Sequence, residues 1–401
     1  MDRVECQKII ESLRYGKPPE GYTHLLTVGR KKEINRLLKI LSEESKSYLV
    51  EANYGVGKTH LLEFIKEKAL ELNFVTSLIS LDSSSEARFN RMDQIFGQIC
   101  RNIQVPKNNQ KSVRYLFDSL FDLNNQNKPE SKEYLIKISN NNKWNENHFL
   151  KSEAMYIAVR AWKFSYENGH NIKIDSLIED WLFNPFNYYT QRKYLYTELI
   201  AKLKKWFNDS RPEWKFYDTN EGIFNFQIKG YSQSWDALHD LYTISIAAGY
   251  KGLILLIDEF EDVIYNLKKI NYQQDAFWNL FEFFLKKRFP GIAFFAVTPG
   301  FVKKCKELLY FKGIFDEDYL SKFDMLEKIE LSPLTSKDLV ELSEKIISIY
   351  SNAYQWNINS EVKKKIKEIC IESSNIAIED RVRQTIKEII TVLDQEMSKS
   401  S

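Results

Sequence analysis

The feature that most restricts this chain is Asn53-Tyr54-Gly55-Val56-Gly57-Lys58-Thr59-His60, set directly after the apolar run Ser47-Tyr48-Leu49-Val50-Glu51-Ala52. Residues 52–59 match G-x-x-x-x-G-K-[ST] except that Ala52 stands where the first glycine would be. Backbone N–H groups hold phosphate in such a loop, so Gly55 and Gly57 supply turns that a Cβ would obstruct. Lys58 offers a point charge to the β- and γ-phosphates, Thr59 a hydroxyl to Mg²⁺, and the helix that follows aims its positive end at the site. At average residue usage, a chance G-x-G-K-[ST] in a chain of this length has a probability on the order of 1%. The surroundings sharpen the reading. Leu61, Leu62, Phe64 and Ile65 form the inner face of a helix, and 74–81 reads as a second buried strand. Strand, glycine loop, helix, strand is a βαβ unit and predicts a parallel sheet.

Further strands appear only much later: 253–257 ending in Asp258-Glu259, 292–297 ending in Thr298-Pro299-Gly300, and 328–331. Continuous apolar runs are what strands covered by helices on both faces require. The predicted layout has four parts: 1–101, an N-terminal segment with the first half of the core; 102–235, an inserted aromatic-rich helical subdomain; 236–331, the second half of the core; and 332–401, a helical lid. Trp144, Trp162, Trp181, Trp206, Trp214 and Trp235 fall in the insertion. Their helical spacing favours core packing over stacking on bases.

The site reading extends to the strand ends. Asp258 is the expected Mg²⁺ carboxylate and Glu259 the expected general base for the attacking water. Thr298 is a candidate contact to the γ-phosphate or that water. Glu261 and Asp262 read equally well as solvated helix-start charges. His60, just past the loop, is placed beside the nucleotide; His24, His148, His170 and His239 are scattered and read as structural. The 57 Lys and Arg nearly balance the 55 Asp and Glu, so any DNA contact has to be a local patch. Runs such as 363–365 read as solvated helix faces. Cys6, Cys100, Cys305 and Cys370 lie far apart, which argues against zinc and suits a reducing compartment. The charged start of the chain shows no signal peptide, and the longest apolar runs are too short to span a bilayer. A cytoplasmic protein is expected.

With these motifs in place, the chain resembles AAA+-type ATPases of the origin-recognition and STAND-like branch, and Val28-Gly29-Arg30 resembles that branch's adenine-side motif. More closely, residues 9–19, Val28-Gly29-Arg30 and the 53–59 loop are similar to the BREX-system ATP-binding proteins of bacterial antiphage defence. The resemblance implies ATP with Mg²⁺, a P-loop α/β fold with sheet order 5-1-4-3-2, and a C-terminal lid. It places Arg383 as the lid arginine reaching the γ-phosphate, with Arg381 as its neighbour and competitor. It also implies helicase or nuclease partners, with DNA contact and oligomerisation as further expectations. Leu320-Ser321-Lys322-Phe323 stands where an Arg-Phe finger would lie, and lysine lacks the planar fork of arginine. A slowly hydrolysing switch leads among the expected functions, ahead of a DNA loader and a non-hydrolysing scaffold.

Overall fold

The computed structural model describes residues 1–43, 45–82, 85, 87–122, 150–183, 194–195, 197–202, 228–263 and 267–400. Its centre is a six-stranded sheet of β1 (Ser47–Glu51), β2 (Val75–Ser80), β3 (Ile103–Gln104), β4 (Leu253–Asp258), β5 (Ile292–Val297) and β6 (Lys328–Glu330). The strands lie side by side in the order β3-β2-β4-β5-β1-β6. All pairings are parallel except β2 with β3. The two-residue β3 was not anticipated, because so short a piece carries no period; it runs antiparallel along β2 and covers its edge.

The long apolar runs alternate between two cores. Leu253, Leu255 and Ile257 of β4 face one cluster with Ala293, Phe295 and Val297 of β5, whereas Ile254, Leu256, Phe294 and Ala296 face the other. This period of two, buried on both sides, is the reason these strands show no polar alternation in the sequence. Each fully buried Phe, Leu or Ile contributes roughly 1.5–3 kcal/mol, so the two layers dominate the sheet's stability.

The first cluster runs on from the sheet into helices that lie between β3 and β4 in the chain, including Val113–Phe121, Glu153–Glu167, Ile172–Phe183 and Ile228–Ala247. Trp162, Trp181 and Trp235 are buried there, at 0%, 0% and 1% exposure, and are core residues. Trp144, Trp206 and Trp214 lie outside the described residues. A third cluster joins the two ends of the chain. The helix Arg3–Arg14 buries Cys6, Ile9, Ile10 and Leu13 against Leu339, Ile346, Tyr350, Ile389 and Leu393 of the C-terminal helices. Arg14 pairs with Asp394 at 2.6 Å and reinforces the join. Lys363, Lys364 and Lys365 are exposed, as a solvated face requires.

Among the described residues no helix is long and apolar enough to cross a membrane. All four cysteines are buried and unbridged, and no group of His, Cys, Asp or Glu there has the arrangement to hold a metal on its own.

Candidate functional site

A cavity of about 370 Å³ opens where the 53–60 loop, the tip of β4, the N-terminal segment and the C-terminal helices meet. It lies beyond the carboxyl ends of the parallel strands, the usual place for a ligand in such sheets. Every residue marked from the sequence as catalytic, nucleotide-binding or metal-binding lines it, except Gly29, Asn53 and Thr298.

The loop is shaped by its glycines. Gly57 takes φ 101° as the residue before the helix Lys58–Glu71, and Gly55 takes φ 71°. Those values are left-handed, where a side chain is strained. Ala52 continues the β ladder by donating its N–H to Val297 O at 3.1 Å and buries its methyl group, so no glycine is needed there.

Across the sheet, the loop meets β4. Thr59 Oγ1 donates to Asp258 Oδ2 at 2.7 Å, joining residues 199 positions apart. Lys58 is 8% exposed; its Nζ donates to Ala52 O at 3.0 Å and lies 3.4 Å from Glu261 Oε1. Glu261 is only 3% exposed, which excludes the solvated helix-start alternative for it; Asp262 is half-buried. Burial pushes the Glu261 carboxyl upward while Lys58 pulls it down. Glu259 is exposed to the cavity side and held at φ 54°, rare for a residue with a side chain. Desolvation raises its carboxyl above the ordinary range, reinforced by Asp258, Asp262 and Glu261. A carboxylate so placed holds a proton more readily, which suits a base.

The remaining candidates divide. Arg383 is exposed and lines the cavity beside Gly16, whereas Arg381 turns back to Ile376 O at 3.2 Å. Arg30 is buried and donates to Val56 O at 2.8 Å and to Ser332 O, so it ties the loop to the start of the C-terminal segment. Val28 lines the cavity, while Gly29 takes φ 65° with the Asp338 carboxylate where a Cβ would go. His60 lies 2.9 Å from Thr27 Oγ1, and desolvation pushes its imidazole down to about 4, so it adds no positive charge near neutral pH. Thr298 is buried at the tip of β5 and away from the cavity lining. The turn after it is held by Glu51, whose Oε1 accepts from Gly300 N at 2.8 Å. Lys322 Nζ rests 5.6 Å from the Trp278 ring centroid and 5.7 Å from that of Tyr319.

Sequence reasoning left the far wall unassigned. Gly16-Lys17-Pro18-Pro19, singled out in the sequence only as part of the 9–19 resemblance, lines the cavity together with Leu13, Leu334, Leu342, Val382 and Ile386. No local period signals this, because the wall is assembled from both chain ends. Its apolar character suits the flat face of a base, and the polar floor suits phosphate. A Cβ built on Gly55 would lie 1.5 Å from Glu379 O, so the loop and the C-terminal helix meet backbone to backbone. Gly55→Ala is therefore expected to push the segment around Glu379 off the loop and to cost roughly 1–3 kcal/mol. Faster amide exchange at 376–383, with the sheet unchanged, is the expected reading. Unaltered exchange would contradict the contact.

In comparison with known proteins, the family described as BREX system ATP-binding protein BrxC/D matches residues 1–144 and 225–399, about four-fifths of the chain. No curated protein and no solved structure matches it. Residues 145–224, within the stretch 102–235 expected as an insertion, lie outside the match.

Proposed function

Since the chain belongs to the family of BREX system ATP-binding proteins BrxC/D, we propose that it binds Mg²⁺-ATP in the cavity above the loop and hydrolyses it slowly, as a switch. The observation that carries this reading is the 2.7 Å contact between Thr59 Oγ1 and Asp258 Oδ2. A hydroxyl from the phosphate loop and a carboxylate from a distant strand end converge beside a lysine, and that donor set suits an octahedral, oxygen-seeking cation bound with phosphates. The order of the strands supports an AAA+-type core. With the antiparallel edge piece β3 set aside, counting the other five along the chain gives 5-1-4-3-2 across the sheet.

The roles follow from placement. Backbone N–H groups around Gly55 and Gly57, with the Lys58 ammonium, hold the phosphates. Thr59 and Asp258 would hold the metal, which would supply positive charge against the charge that develops on the phosphates. Glu259 orients and deprotonates the attacking water. Arg383, on the C-terminal helix, is the group that senses the γ-phosphate from the opposite wall. Because that helix shares a core with Arg3–Arg14, closing on nucleotide moves both chain ends together. The switch acts with DNA-processing partners of a BREX defence system, an assignment that rests on the family.

The test is calorimetric ATP binding with and without Mg²⁺, alongside phosphate release with and without DNA. Asp258→Asn is expected to lose most of the Mg²⁺-dependent gain in affinity and to lower release on the order of a hundredfold. Equal affinity with and without Mg²⁺ in the wild type would remove the metal site. Binding without any phosphate release would leave a nucleotide-dependent scaffold.

A further inference from the structure

Lys58, on which phosphate capture turns, has a full set of partners within the protein. Nζ donates to Ala52 O at 3.0 Å, stands 3.4 Å from Glu261 Oε1 and lies 4.7 Å from the centroid of the Tyr54 ring. An ammonium has three N–H donors, and these contacts account for them. The β4 end thus divides its carboxylates between the two loop side chains: Asp258 serves Thr59, and Glu261 serves Lys58. Glu261 is 3% exposed and lines the cavity, and its second oxygen, Oε2, has no hydrogen-bond partner among the described residues.

We propose that Glu261 is a competing counter-ion for Lys58, contending with nucleotide phosphate for one ammonium, so that it weakens nucleotide binding and speeds product release. The inference rests on the reading that a nucleoside triphosphate enters this cavity. A buried carboxylate is tolerable beside its cation and costly without it. Phosphate that draws Lys58 away leaves Glu261 unpaired and facing further negative charge, so binding has to displace it. When the product leaves, Glu261 recaptures Lys58, and no buried ammonium is stranded. Glu261 then acts through Lys58 as a positioning residue, which separates it from Asp258 and Glu259.

The experiment uses the full chain and a fluorescent ADP analogue, with affinity and dissociation rate measured for wild type and Glu261→Gln. Glutamine keeps the shape and removes the charge. The expected result is a gain in affinity on the order of tenfold, carried mainly by slower dissociation. A lower melting temperature without nucleotide and a larger upward shift on adding it are also expected, since the ion pair is lost from one side of the equilibrium only. Glu261→Asp, which draws the carboxylate back by one methylene, is expected to give a smaller gain and covers the case that glutamine fails to fold. Binding by the wild type with no gain in either variant overturns this inference alone. Absence of binding in wild type and variants overturns the nucleotide reading and this inference with it.

Discussion

Lys58→Ala is expected to weaken ATP binding on the order of a hundredfold or more, the usual consequence of removing one partner from a desolvated charge contact. The substitution also acts on the fold. Lys58 is the cation beside the buried Glu261, at 3.4 Å, and its removal leaves that carboxylate unpaired, at a cost of roughly 3–5 kcal/mol before relaxation. Glu261 relieves part of this by taking up a proton, for which burial has already raised its carboxyl. A melting temperature well below wild type is therefore expected with the loss of binding. The double variant Lys58→Ala/Glu261→Gln separates the two effects. It is expected to recover stability, because both charges are gone, while ATP binding stays lost. Recovery of ATP binding in the double variant would show that Lys58 served the fold and left the phosphates alone.

The second large effect is at Glu259. Glu259→Gln is expected to keep ATP binding and to lower phosphate release by about 10²–10⁴-fold, the range for a lost general base. Turnover equal to wild type removes Glu259 from that role. A companion variant tests the backbone. Glu259 has φ 54°, a left-handed conformation that costs an L residue roughly 1–2 kcal/mol and glycine almost nothing. Its carboxylate also stands among Asp258, Asp262 and Glu261, each of which raises it further. Glu259→Gly is thus expected to abolish release while raising resistance to denaturant by about 1 kcal/mol. An inactive variant that is no more stable would mean that the turn after β4 is unstrained in solution.

How much of this was legible beforehand depends on how local each signal is. The loop, its glycines, and the Asp258-Glu259 pair are fixed by residues adjacent in the chain, and the apolar strands by runs of five or six. The sequence assigns Thr59 and Asp258 to one metal from their motif positions, and the direct hydrogen bond between them emerges only in the structure. Thr298 shows the boundary of this reasoning. It ends a strand as expected, yet the turn beyond it is anchored to Glu51, and its side chain stays buried outside the cavity lining.

The sequence by itself determined a glycine loop between strand and helix, a sheet covered on both faces, and the carboxylates at the end of β4. Those signals depend on backbone sterics and on a period of two, and both act between near neighbours. Only the tertiary structure decided that Arg30 ties Val56 O to Ser332 O, that Glu261 is buried against Lys58, and that both ends of the chain form the opposite wall. The reason is physical. A residue's burial and its partner are set by surfaces that meet after folding, across separations such as the 302 residues between Arg30 and Ser332, and no local periodicity records which surface will arrive.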